Sequence, residues 1–312
     1  MVSIGASGFM GIAIESTPNE YEAPTKFFPI RNENLVWTQD TNWRRVIRGT
    51  VDIIGAAAGN GNAEGDVDME LLDDVLPYWL IASRGEMVKT GAAPTFTYTF
   101  TPTHDATPTS TLSITVVRAG IAFGYVGCVV GNHSFGSDND LATYTPTVVG
   151  TSEEEVAVPA APVYRDDDDP FGSGMWNIQV PTGTQIFDAD NYTLDINDNA
   201  EAQNRLKNSL GAQFVSFGER DVELTVDRDF EDRSEYNEFK LLTEKSISVR
   251  LEKEAGRAVQ FNIPGSIKDT YEVSLTGVGD LVRASTTYRG IHAASVGGGF
   301  EIVVETDEDI TV

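Results

Sequence analysis

Thiols, histidines and cations are all scarce in this sequence. A single cysteine, Cys128, excludes an intramolecular disulfide framework. Its place in the valine-bearing run Tyr125 to Val130 predicts a small buried hydrophobe. The three histidines, His104, His133 and His292, sit in unrelated loop or strand-end contexts, without the clustered spacing that zinc requires, and read as surface residues. Long apolar runs are missing, so no segment has the length of a membrane-spanning helix. Met1 to Met10 lacks a positively charged n-region and does not read as a secretory signal, so the chain reads as one made and kept inside a cell. A Gly-x-Ser-x-Gly elbow, a supported Cys–His pair and a Walker-type Gly-Lys-Thr are also absent, and Gly59, Gly61 and Gly65 miss the dinucleotide spacing. Asp188-Ala-Asp190 starts like a calcium loop, but Tyr192 stands at the third ligand position and no glycine follows at the turn; Asp166 to Asp169 is no better a site. The pair Asp73/Asp74 is explained by helix capping. The chain therefore reads as not an enzyme, with no cofactor and no metal.

Positive charge is the other shortage. The 312 residues carry 22 Lys+Arg against 48 Asp+Glu, a formal charge of −26. Residues 1–163 hold −11 of this and residues 164–312 hold −15, so neither half is a basic arm. That balance excludes a protein that grips nucleic acid by its phosphates. It suits solubility, a salty medium, or a surface over which a polyanion slides without sticking.

What is plentiful is threonine, valine and glycine, the composition of strands and turns. The chain is organised around 221–290. There a strand pattern (Asp221 to Val226) leads into a short helix, Ser234 to Thr243. Strands Ser246 to Leu251, Ala258 to Ile263, Thr270 to Thr276 and Leu281 to Arg289 follow. Residues 66–150 repeat this order: Asp66-Val-Asp-Met-Glu precedes a helix ending near Ser83, and β runs end at Gly150. The closing segments, Asp140-Leu141 … Thr147 … Gly150 and Asp280-Leu281 … Thr287 … Gly290, match at identical spacing. Repetition on this scale predicts one β-rich module written twice. The expected domains are 1–152, a first module with an N-terminal arm; 153–170, an acidic, proline-bearing linker; and 171–312, a second module.

In chain order, residues 1–29 are too broken by glycine and proline for a long regular element and read as an extended arm that could lie on a neighbouring subunit. Arg31 to Gln39 alternates as a first strand, with Leu35 and Trp37 on one face. Thr41 to Glu64 is long for a connection and places Trp43, Arg44, Arg45, Ile47 and Arg48 together. Its counterpart, Asn199 to Glu219, carries Arg205, Lys207, Phe214 and Phe217. Each is either a ragged hairpin with a solvated arginine edge or a basic and apolar loop that docks on the acidic body of another copy. The first helix is expected to start at Asp73 or Asp74 as N-cap and to bury Val75, Leu76, Trp79 and Leu80, with Pro77 in its first turn. The second, opened by a capping-box-like Asp232-x-x-Glu235, is expected to bury Tyr236, Phe239 and Leu242. Thr95 to Thr101 is a clean half-buried strand. Thr111 to Val117 and Ile121 to Val130 form a hairpin about Arg118-Ala-Gly120, and Glu301 to Val304 is a last strand.

Three stretches carry a family resemblance: Gly11-Ile-Ala-Ile-Glu-Ser-Thr-Pro with Ala23-Pro-Thr-Lys-Phe-Phe-Pro-Ile; Gly65-Asp-Val-Asp-Met-Glu … Asp74-Val-Leu-Pro-Tyr; and Ile267-Lys-Asp-Thr-Tyr-Glu-Val … Gly279-Asp-Leu-Val-Arg-Ala-Ser. Together they span most of the chain, which resembles the major tail tube proteins of long-tailed (siphovirus-type) bacteriophages and related head–tail viruses. Asn19-Glu20 departs from the Gly-Thr-like turn of that pattern. The resemblance implies a mainly β fold: two tandem β-sandwich modules, each with one flanking α-helix, whose inner sheets join edge to edge into a ring β-barrel. It implies a virion tail protein, assembled in the host cytoplasm, that stacks as rings around a lumen through which genomic DNA passes without specific binding. The implied partners are other copies of itself and, at the tube ends, the terminator, tape measure and distal tail proteins, with no membrane insertion. Two tube domains per chain would close a pseudo-six-fold ring as a homotrimer. The competing reading is a β-sandwich binding module of tail-tip or adhesin type, which leaves the paired helix–strand units unexplained.

Overall fold

Valine, threonine and aromatic residues in alternation make this a β protein, 57% strand and 5% helical. The computed structural model describes residues 8–138, 141–160, 162–165, 169–206, 209–230, 232–275, 277–278 and 281–310. The first half runs β1 (Phe9–Ile14), β2 (Lys26–Phe28), β3 (Asn32–Glu33), β4 (Val36–Trp43), β5 (Ala56–Glu70), α1 (Leu76–Ile81), β6 (Gly85–Ala92), β7 (Thr95–Pro102), β8 (Leu112–Arg118), β9 (Ile121–Asp138), β10 (Leu141–Gly150) and β11 (Ser152–Glu155). The second half runs β12 (Trp176–Gln179), β13 (Gln185–Ile186), β14 (Ala189–Asn197), β15 (Glu201–Gln203), β16 (Phe214–Ser216), β17 (Asp221–Asp229), α2 (Ser234–Lys240), β18 (Lys245–Glu254), β19 (Arg257–Ser274), β20 (Arg283–Gly290) and β21 (Glu301–Thr306).

The two halves repeat one ladder. In the first, β3 and β4 lie end to end along β5, and the order continues to β10 and β9. In the second, β14, β17, β20 and β19 follow in the corresponding order. Antiparallel pairing of β9 with β14, Phe135 opposite Leu194 and Asn132 opposite Asn197, fuses the two runs into one continuous sheet. The echo between Thr147 and Thr287 is a ladder equivalence, since Thr147 faces Asp66 and Thr287 faces Thr225. Asp66 thus corresponds to Thr225, not to the start of the 221–226 run. Asp140 and Asp280 lie outside the described residues.

Strands β9 and β19 are long enough to serve two layers. Their opening parts belong to outer sheets, β2–β1–β8–β9–β11 in the first half and β13–β12–β18–β19–β21 in the second. The turn that opens β9 is the expected one, with Ala119 and Gly120 at positive φ. The β6–β7 hairpin has no counterpart among the described residues of the second half. It extends the second half's outer sheet by pairing β7 with β21, Phe100 opposite Ile302. Beside a small separate cluster of Val129, Val149, Val215 and Phe217, one apolar core, including Met10, Trp79, Tyr98, Phe135, Leu224, Phe261 and Val304, runs through both halves. Cys128 is buried in it as a free thiol.

Several expectations need correction. Over the described part of 1–29, β1 is not a free arm but lies in the chain's own outer sheet between β2 and β8, where its continuously apolar run is buried from Met10 to Ala13; residues 1–7 lie outside the described set. Asp73 and Asp74 do not cap α1, which begins at Leu76 with Val75 as N-cap and no side-chain cap. Both carboxylates turn inward to cations, Asp73 to a buried one and Asp74 to a partly buried one. Arg257 Nε and Nη2 donate to Asp73 at 3.0 and 2.8 Å, and Lys26 Nζ donates to Asp74 at 2.7 Å. Every residue of α1 is buried and none of α2 is, so Tyr236, Phe239 and Leu242 are not a buried face. Asp232 does accept hydrogen bonds from Ser234 at the start of α2. Thr41 to Glu64 is strand at both ends, with only 44–55 left as the loop between β4 and β5, and the two runs 258–263 and 270–276 are one bent strand, β19, with Thr276 outside the described residues.

Candidate functional site

Strand alternation gives the continuous sheet two unlike faces. One is packed on the core through Val67, Met69, Phe135, Tyr144, Leu194, Leu224, Val226 and Tyr288. The other carries almost only hydroxyls, amides and acids, because each of those buried residues is flanked along its strand by a polar one. Its acids are Glu64, Asp66, Asp68 and Glu70 on β5, Asp195 on β14, Asp221, Glu223, Asp227 and Asp229 on β17, and Glu272 on β19. Cross-strand hydroxyls steady several of them: Thr147 Oγ1 donates to Asp66 Oδ1 and Ser285 Oγ to Asp227 Oδ1, at 2.7 and 2.6 Å. Ser137 Oγ donates to Asn191 Oδ1 across the junction of the halves at 2.7 Å. Two arginines share this face and both are engaged by acids, Arg283 by Asp190 and Arg289 by Glu223, Asp221 and Asp269. The face is acidic, and its acids are partly or fully exposed.

The sheet ends in two unpaired edges. On one side the β19 edge stops at Thr270–Ser274, which pairs only with β20; on the other, 32–38 pairs only with β5, among the described residues. Val273 and Val36 are 44% and 49% exposed there, each near one end of its strand.

Beyond the sheet, β4 and β5 continue as a projecting hairpin whose tip spans 44–55. Trp43, Ile47 and Val51 are exposed, and Arg44, Arg45 and Arg48 form no ion pair among the described residues. Five of the residues singled out in the sequence are therefore together on one apolar and cationic tip. The counterpart, 199–219, behaves differently. Its β15–β16 hairpin folds back so that Val215 and Phe217 are buried against Val129 and Val149 of the same chain. The Phe217 N–H donates to the Ala106 carbonyl at 2.9 Å. Arg205 is exposed with its guanidinium 5.5 Å from the Phe214 ring, and Lys207 lies outside the described residues.

His133 is not a surface residue. It sits buried at the junction, opposite Ile196, with Nε2 2.7 Å from Ser83 Oγ and Nδ1 2.8 Å from Tyr144 OH. Burial, reinforced by the Arg220 charge, pulls its pKa from 6.5 to about 3, so the ring is neutral in the fold. Its place two residues before Phe135, in step with the inward set of β9, is the sequence signal that marks it as internal. His104 and His292 are exposed, their rings 5.9 Å apart. Asp188 and Asp190 are engaged by Arg228 and Arg283, as ion pairs rather than calcium ligands. No group of three His, Cys, Asp or Glu among the described residues is placed to hold a metal, and no helix among them is long and apolar enough to cross a membrane. A family model described as phage tail tube protein matches residues 5–302. No curated protein matches the chain.

Proposed function

The chain belongs to the phage tail tube protein family and is a structural component of a virion tail, and from that premise we propose that three copies close head to tail into a ring of six equivalent sheet units. Each copy supplies two tandem β-sandwich modules, 1–152 and 171–312, joined by the 153–170 linker. The rings stack as the tube of a long, siphovirus-type tail, and the acidic sheet face lines the channel through which the genome is ejected. Tube ends meet the terminator, tape measure and distal tail proteins.

The observation that carries this reading is the β9–β14 ladder. It joins the two halves through strands equivalent to those left bare at the two ends of the sheet. A closed ring is the arrangement that pairs every such edge. Acids facing a narrow channel repel phosphate, which lets DNA slide. The tip at Trp43, Arg44, Arg45, Ile47 and Arg48, with free cations beside exposed apolar groups, suits contact with the acidic body of the next ring; Arg205 and Phe214 lie where a smaller contact could form, while Phe217 is already buried within its own chain.

Negative-stain electron microscopy with mass photometry tests this. The expected result is rings or tubes with a central channel, built from a trimer-mass unit. A hexamer-mass ring overturns the three-copy closure, and a monomer that never polymerises at high concentration overturns the tube assembly and favours a binding module.

Like charge also predicts a salt effect. Bringing acidic faces together around one channel is opposed at low ionic strength and eased as the screening length shrinks to about 10 Å near 0.1 M salt. Light scattering should show assembly rising with salt. Asp66→Asn with Asp195→Asn should shift the onset to lower salt; an onset that does not move would mean these acids do not face one another.

A further inference from the structure

Resting on the ring reading above, the in-chain junction can serve as a template for the seam between copies. Through their common pairing with β5 and β17, Leu35, Val36, Trp37 and Thr38 hold the ladder positions that Leu194, Asp195, Ile196 and Asn197 hold in the second half. Through β10 and β20, Thr270, Tyr271, Glu272 and Val273 hold those of Asn132, His133, Ser134 and Phe135. Inside the chain the latter four pair with Asn197, Ile196, Asp195 and Leu194. We propose that the β19 edge receives residues 35–38 of a second copy in the same register, Thr38 opposite Thr270, Trp37 opposite Tyr271, Val36 opposite Glu272 and Leu35 opposite Val273.

Two independent features agree with this register. Directly opposed residues of an antiparallel pair share a face, and here the inward pairs are both apolar, Leu35 with Val273 and Trp37 with Tyr271. A slip of one residue would set Leu35 against Glu272 and place apolar groups on the acidic face. The second feature is α2. Within the chain, Arg257 at the turn between β18 and β19 reaches the segment that leads into α1, by way of Asp73. The equivalent turn between β8 and β9 carries Ile121, 60% exposed, while α2 and the residues after it leave Leu241 and Leu242 bare. The second copy's Ile121 therefore covers α2, an apolar contact where the in-chain junction has an ion pair.

The seam between copies is also thinner than the junction within one. No hairpin follows α2 to play the part of β6–β7, and β11 presents Glu153, Glu154 and Glu155, exposed, where β21 presents Ile302, Val303 and Val304. Three acids in a row discourage further strand addition at that edge.

Paired cysteines test the register in the full chain, since Cys128 is buried and does not compete. Thr38→Cys with Thr270→Cys, both on the polar face, should oxidise under mild conditions to disulfide-linked oligomers up to trimer on a non-reducing gel. Thr38→Cys with Glu272→Cys, two residues out of register, should give about tenfold less, and each single variant none. Ile121→Asp should raise the concentration needed for assembly by about tenfold while leaving the melting temperature of the isolated chain unchanged. Rings that form while the shifted pair cross-links as well as or better than the proposed one, or that ignore Ile121→Asp, overturn the register or the α2 contact and leave the ring standing. A parent protein that forms no rings overturns the ring itself.

Discussion

His133→Gln is expected to cost about 1–2 kcal/mol of unfolding free energy at pH 7, yet to leave the variant more stable than its parent below about pH 5. The cost at neutral pH comes from disturbing a buried chain of partners: Ser83 Oγ on one ring nitrogen and Tyr144 OH on the other, with Phe135 stacked on the ring. The crossing comes from linkage. The folded imidazole titrates at about 3 because burial, then the Arg220 charge, disfavours the cation, while the unfolded chain takes up its proton near 6.5. Between those values the unfolded state binds the extra proton. The contribution of a neutral His133 is therefore fully present above pH 6.5 and is lost as pH falls toward 3, by about 5 kcal/mol in all. Glutamine carries no such proton. Protonation of the many carboxylates alters both proteins alike, so the difference between them isolates this one ring. Urea unfolding followed by tryptophan fluorescence at pH 7 and pH 4 is the measurement, and parallel pH profiles would show that His133 is not held neutral.

Arg257→Ala should destabilise the chain by about 3–5 kcal/mol, the usual consequence of stranding a buried charge. Asp73 and Arg257 are 1% and 6% exposed, and their double hydrogen bond ties the entry of α1 to the start of β19. Removing the guanidinium leaves a carboxylate in the core. Removing both charges together, Asp73→Leu with Arg257→Met, should recover most of the loss, because two apolar side chains of similar volume need no partner. A thermal melt or urea titration of the three proteins decides it. If the double variant is as unstable as the single one, the pair is holding geometry that packing cannot replace. Because the β9–β14 ladder and the shared core still join the two halves without this bond, the single variant should still unfold in one step rather than release one half before the other.

The sequence carried the β class and the repetition of its elements clearly, since both live in local signals. Alternation in 95–101 and 221–226 reads directly as strand, and the turn at Ala119-Gly120 reads directly as hairpin. What it hid was long-range partnership. Asp73 and Asp74 look like helix caps to any local rule, and only the arrival of Arg257 and Lys26 from distant strands makes them core residues. The same local logic gave α2 a buried face that the chain alone does not cover. For the assembly surface, the arginine-rich tip at 44–48 stood out by composition. The bare edges at 35–38 and 270–274 did not, because a free strand edge and a paired one share the same alternation.

The hairpin that the first half lends to the second has a bearing on time. β7 finds its outer neighbour in β21, far along the chain; Tyr98 OH completes the arrangement by donating to the Glu308 carbonyl and accepting from the Ile310 N–H, across sequence separations of 210 and 212 residues. Contacts that distant form slowly, and they cannot form at all until β21 has been synthesised. A growing chain thus waits for β21 before the outer layer is sealed, and a product truncated before β21 would be left with the β7 edge open and marked for aggregation or removal rather than for incorporation.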